Sequence, residues 1–200
     1  RARHRTAMNV QRTVVLVCLL SIGAVGADEV RGSYILPQLE LDFKPRGADR
    51  YRGEWDEDAA YELAAYSNRG WVWGFGVYSQ RAELADQDFD LEYESWLLRL
   101  YSGQAPVQTA SFTWEITGFT GLGFGSADLS RSAPGRSGGS DRSFMFDFGG
   151  QTTLSMRLTH YFLIGAGVGY LWSEVDLDLD GERTIEQEGL YYLGYAGLTF

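Results

Sequence analysis

From residue 33 onward, apolar and polar side chains alternate with a period of two, in runs separated by turn-forming residues. The pattern is cleanest over 143–159. Phe144, Phe146, Phe148, Thr152, Leu154, Met156 and Leu158 share one parity there, and Asp147, Gly149, Gln151, Thr153, Ser155 and Arg157 share the other. Trp71, Trp73, Phe75 and Val77 repeat it against Gly74 and Gly76. Phe112, Trp114, Ile116, Leu122 and Phe124 do so against Thr113, Glu115, Thr117, Gly121 and Gly123. Successive strand residues point to opposite faces, so each set marks one side of a sheet. Eight segments carry the pattern, near 33–44, 59–67, 71–84, 89–102, 109–126, 143–159, 161–178 and 187–200. The expected fold class is all-β, an eight-stranded antiparallel up-and-down barrel.

The identity of the two faces decides which solvent surrounds that barrel. A soluble barrel keeps its apolar face inside and its charges outside. Here the minority face is small and polar, which suits the crowded interior of a narrow barrel, and the majority face is aromatic and aliphatic, which suits lipid. One parity runs Phe162, Ile164, Ala166, Val168, Tyr170, Trp172 and then Glu174, Asp176, Asp178 and Asp180. Another runs Asp90, Glu92 and Glu94 before Trp96, Leu98 and Leu100. Trp96 and Trp172 are therefore the expected outer-interface aromatics, with acidic positions beyond them among lipid headgroups. Connectors around 45–58, 85–88, 131–142 and 179–186 are mostly long and polar, and those around 68–70, 103–108 and 160 are tight. That is the loop and turn asymmetry of a transmembrane barrel.

The amino-terminal region reads as an export signal. Arg1, Arg3, Arg5 and Arg12 precede an apolar run from Val14 to Val25, and Val25-Gly26-Ala27 offers a cleavage point before Asp28. The expected division is 1–27 as signal, with Met8 as initiator and upstream readthrough before it, and 28–200 as barrel. The single cysteine, Cys18, lies inside the signal, so no disulfide is expected in the mature part. All 27 acidic residues fall after residue 27 and four of the 17 basic ones before it, so the mature part is more acidic than the whole-chain charge of −10. Nucleic acid is excluded as a partner on that ground.

Candidate chemistry gathers in the lumen. Parity places Glu40, Asp42, Glu62, Glu115 and Asp147 there with Arg99 and Arg157, and charges inside a membrane barrel have to be paired or wet. A turn near residue 136 predicts Glu115 opposite Arg157, and Glu40 is expected to face Glu62. Phe89, Leu91 and Tyr93 against Val175, Leu177 and Leu179 make an apolar upper lumen, either a small core or an entrance for a hydrophobic solute. Asp176-Leu177-Asp178-Leu179-Asp180-Gly181 imitates the start of a calcium loop, but its twelfth position is Gln187 and its flanks are strands. No catalytic, cofactor or metal residues are expected.

The closing stretch Tyr192-Leu193-Gly194-Tyr195-Ala196-Gly197-Leu198-Thr199-Phe200, with alternate apolar positions and a terminal aromatic, resembles the assembly signal of bacterial outer-membrane barrels. With the signal, the eight segments and the connector asymmetry, the chain resembles the OmpA-type and OmpW-type small barrels, without a periplasmic domain. The resemblance implies outer-membrane location, lipid and lipopolysaccharide as surroundings, and engagement of the barrel assembly machinery through Leu198 and Phe200. Functionally it implies a non-enzymatic protein, structural or acting through extracellular loops such as 46–55 and 132–143, with the extracellular ligand open. The alternative is a narrow channel for small or hydrophobic solutes, as in OmpW-type proteins. A lipid A-modifying enzyme is the third reading. Tyr66-Ser67-Asn68-Arg69-Gly70 faintly resembles a deacylase motif, but Ala65 stands where that family has its histidine, and His160 is placed at a turn.

Overall fold

The computed structural model describes residues 27–43, 51–85, 89–131, 139–178 and 182–200. Nine strand segments build the sheet: β1 (Glu29–Phe43), β2 (Tyr51–Glu54), β3 (Glu57–Arg69), β4 (Trp71–Ala85), β5 (Phe89–Gln108), β6 (Phe112–Arg131), β7 (Gly139–Arg157), β8 (Phe162–Asp178) and β9 (Glu182–Thr199). Each pairs antiparallel with its chain neighbour from β3 to β9, and β1 pairs with β9 along its entire length, from Glu29↔Thr199 to Phe43↔Ile185. The sheet is thereby closed on itself, with β2 paired on its β1 side.

β2 and β3 act as one barrel strand with a kink. Pairing with β1 runs from Glu29↔Tyr66 to Ile35↔Ala60 and resumes at Glu40↔Glu54, so residues 36–39 face the longer stretch 55–59. One extra residue on one strand is a β-bulge. It coincides with Pro37, which has no N–H to offer a neighbour. The bulge turns Trp55 into the barrel, where it stacks on Tyr93 with ring centroids 5.6 Å apart. Trp55 belongs to a stretch the sequence reads as exposed loop; its neighbours 44–50 lie outside the described residues, as do 132–138 and Leu179. β5 also runs on to Gln108 through an irregularity between Gln104 and Val107, where a tight connector is expected. The β3–β4 turn needs Gly70, whose φ of +93° a residue with a side chain rarely adopts.

The two faces follow the alternation. Trp73 is 60% exposed and Leu122 54%, whereas Tyr78 and Arg99 on the inward face are 1% exposed. Three inward tyrosines lie flat against inward glycines directly across the ladder: Tyr66 over Gly74, Tyr191 over Gly169 and Tyr195 over Gly165. A Cβ at any of these glycines would collide with the facing ring. The glycines make room for side chains large enough to fill a narrow lumen.

Above Trp96 and Trp172 the polarity inverts. Leu84, Leu91 and Leu129 are consecutive inward partners, and the neighbouring outward row is Glu83, Glu92 and Asp128. Leu41, Ile185, Tyr93, Met145, Val175 and Leu177 join Trp55 in this buried upper cluster. The apolar upper lumen is therefore a core enclosed by strands that stand in water, as in a soluble barrel.

Candidate functional site: charged cross-bars in the lumen

Two arginines span the polar part of the lumen. Arg31, inward on β1, donates from Nη1 to Glu115 Oε2 at 2.5 Å and from Nη2 to Glu115 Oε1 at 2.7 Å. β6, which carries Glu115, lies four barrel strands from β1 in either direction, so this bidentate pair crosses the full width of the barrel. Arg31 Nε donates to Glu29, and Thr153 Oγ1 donates to Glu115 Oε2 at 3.2 Å. The guanidinium carbon lies 4.4 Å from the Tyr66 ring centroid and 4.9 Å from that of Tyr195.

A second bar lies in the next layer. Arg99 on β5 donates from Nε and Nη2 to Asp147 Oδ2 on β7 at 2.8 and 2.5 Å, and from Nη1 to Glu62 Oε2 on β3 at 3.5 Å. Tyr101 donates its hydroxyl to Glu62 Oε2, and Tyr66 reaches Glu62 Oε1 at 3.5 Å. The Arg99 guanidinium carbon is 3.5 Å from the Tyr78 ring centroid and 4.5 Å from that of Phe119. Both bars have the same construction: a planar cation among ring faces, with carboxylates on its N–H edges. Arginine suits this because its fork bonds carboxylates while its face stacks on rings. In a poorly polarisable interior the pairing offsets the cost of burying the charges.

Of the candidate lumen residues, Glu62, Arg99, Glu115 and Asp147 meet in these bars. Glu40 and Asp42 lie on the other face, and Arg157 keeps inward parity at the lower mouth without its expected partner. Glu40 is exposed on the outer face opposite Glu188 and Glu54, and Asp42 shares its parity. Ser33, one parity over, is the residue opposite Glu62. The reason is the inversion: in upper β1 the apolar residues Leu39 and Leu41 face inward, so reading them as lipid-facing puts the acids on the wrong side. Arg157 is exposed at the lower end of β7, opposite Leu163, and Glu115 is opposite Thr153, four residues from the expected partner. A slip by an even number preserves the faces and changes the pairs.

The residues that sequence reasoning missed are Glu29, Arg31 and Asp58. Glu29, Arg31 and Ser33 form a polar parity at the start of β1, a signal available but lost by beginning the strand at 33. Arg157 lines a polar vestibule of about 140 Å³ at the lower mouth with Glu29, Ser155, His160 and Thr199. His160 is exposed at the β7–β8 turn, while Ser67 donates to Asp28 Oδ2 at 3.0 Å beside the β3–β4 turn. In the calcium-like stretch, Asp176 faces outward and accepts from Thr184 Oγ1 at 2.7 Å.

A closed sheet with an apolar outer belt, an aromatic upper boundary and a charged, tyrosine-packed interior defines the class: a small transmembrane β-barrel of the outer-membrane type. Solved structures similar to this chain include outer-membrane proteins. The attachment invasion locus protein Ail of Yersinia pestis is 15% identical, with 85% of this chain and 99% of that one covered and a TM-score of 0.45. OprG from Pseudomonas aeruginosa is 14% identical, with 86% and 94% covered and a TM-score of 0.44. The outer membrane protease OmpT from Escherichia coli is 8% identical, with 87% and 97% covered and a TM-score of 0.49. At these identities and TM-scores the likenesses carry no inference about what this chain does. No protein-family model matches the sequence, and no curated protein matches it.

Proposed function

We propose that this chain is a non-enzymatic outer-membrane barrel with a sealed lumen, whose contacts with its surroundings are made by its extracellular loops. The observation that carries the reading is the filling of the interior. The Arg31–Glu115 bar crosses the barrel, the Arg99 bar and the rings of Tyr78, Tyr101 and Phe119 occupy the next layer, and an apolar core fills the top. A solute path through these layers would require both buried ion pairs to part, leaving unpaired charges in a poorly polarisable interior. The outward acidic rows beyond Trp96 and Trp172 suit contact with lipopolysaccharide headgroups through bridging cations. Outward Leu198, on the strand that closes against β1, and the adjacent Phe200 are the proposed contacts for the assembly machinery.

Refolded protein in a planar lipid bilayer tests the sealed lumen. Wild type is expected to give no conductance steps, and the double variant Arg31→Ala, Arg99→Ala to give small ones. Steady steps from wild type would overturn the sealed reading.

A further inference from the structure

The layer above the Arg99 bar is built around a carboxylate with no cation bound to it among the described residues. Asp58 is on the inward face of β3, and its Oδ1 and Oδ2 both accept from Gln80 Nε2 at 2.9 Å. The same amide nitrogen donates to Gln187 Oε1 on β9 at 3.2 Å, and Gln80 Oε1 accepts from the Tyr78 hydroxyl at 3.3 Å. Two N–H hydrogens of one amide thus serve three acceptor oxygens on two strands. Gln187 Nε2 and Ser95 Oγ, on residues 1% and 0% exposed, have no hydrogen-bond partner among the described residues. One amide group thus serves both β3 and β9 where two walls of the barrel meet.

The charged and titratable groups around Asp58 are few. Its charge acts on the hydroxyls of Tyr78 from β4 and Tyr93 from β5. Gln187 from β9 is neutral, Arg99 and Asp147 belong to the layer beneath, and Arg81 points out to water. Asp58 is paired with Ala82 and Ala82 with Tyr93, level with outward Arg81 and Glu94 and thus above the lipid belt.

We propose that Asp58, Gln80 and Gln187 form a proton-operated latch across the extracellular end of the lumen, closed when Asp58 is protonated and loosened when it ionises. A proton on Asp58 weakens its hold on the Gln80 amide. The Gln80 amide then keeps its bond to Gln187 Oε1, which ties β4 to β9. An ionised Asp58 competes with Gln187 for the same amide. Burial pushes the Asp58 carboxyl up to about 7 from an ordinary value of 3.8, with the Gln80 bond acting in the opposite sense. The folded state holds this proton more tightly than the unfolded state. The latch therefore contributes fully at low pH, weakens as pH rises from about 4 to about 7, and changes little above that.

Infrared spectroscopy and hydrogen exchange on the refolded barrel in lipid nanodiscs test it. Wild type should show a protonated-carboxyl band that disappears with a midpoint near 7 and is missing in Asp58→Asn. After correction for intrinsic rates, exchange in residues 184–190 of β9 should be roughly tenfold slower at pH 6 than at pH 8. Asp58→Asn should remain slow at both pH values, and Gln80→Leu fast at both. A wild-type carboxyl midpoint near 4, or equal wild-type protection at pH 6 and pH 8, would overturn the latch, and both readings require no variant to fold.

Discussion

Arg31 and Glu115 face each other across the whole barrel and share two hydrogen bonds of 2.5 and 2.7 Å. The pair joins β1 to the strand farthest from it, so it braces the cross-section as no neighbouring-strand contact can. Replacing Arg31 with Met would leave Glu115 and Glu29 buried beside each other without their cation. The expected cost is about 3–5 kcal/mol, read from urea unfolding in detergent micelles. The triple variant Arg31→Met, Glu115→Leu, Glu29→Gln should recover most of it, since uncompensated charge is the main penalty.

Arg99 separates charge from shape. Arg99→Lys keeps a cation near Asp147 but loses the two-point bond and the flat stack on Tyr78 and Phe119. A loss of about 1–3 kcal/mol is expected, smaller than for Arg99→Met. If lysine and methionine variants unfold at the same urea concentration, the charge contributes nothing.

The tyrosine and glycine contacts make a reciprocal prediction. Gly169→Ala drives a methyl group into the Tyr191 ring and should cost ~1–3 kcal/mol by overpacking. With Tyr191→Ala already present, the same glycine change should cost less, the Gly150 carbonyl oxygen at 2.7 Å being the close contact that remains. A double-mutant cycle on thermal unfolding reads the difference directly.

Opposite responses are expected on the two sides of the aromatic boundary. Leu122→Arg places a charge in the lipid belt and should cost about 2–4 kcal/mol in a bilayer. Asp128→Arg, three ladder steps higher on the same outward face, should change stability by less than about 0.5 kcal/mol. Equal effects at the two positions would show that the outer belt does not face lipid.

Most of the architecture was legible because strand parity survives local errors. The lipid-facing sets in β4, β6, β7 and β8 depend only on period two, and register slips by an even number leave them intact. Pairings needed more than parity. Glu115 could be assigned to the lumen from its neighbours, but its partner depended on how residues far apart in the chain met across the barrel. Arg31 lies on β1 and Glu115 on β6, and no spacing rule links them. Glu40 and Asp42 failed for a different reason: apolar residues change faces above the membrane. The outward acids Glu174 and Asp176 displayed that rule in β8, and applying it to β1 would have placed both correctly. Asp58 was hidden among its acidic neighbours Glu54, Asp56 and Glu57, a run that reads as solvated loop until Gln80 and Gln187 are brought to it.

The pairing of β1 with β9 along its whole length has a temporal meaning. The strand nearest the start of the described chain has its outer partner at the other end, so its hydrogen bonds on that side wait for all the intervening strands. Separations of this size make closure slow relative to local hairpin formation and leave the terminal edges open meanwhile. A barrel of this kind has no stable half-built version: shielding those edges until they meet is a task for its surroundings, and completion is a single late event.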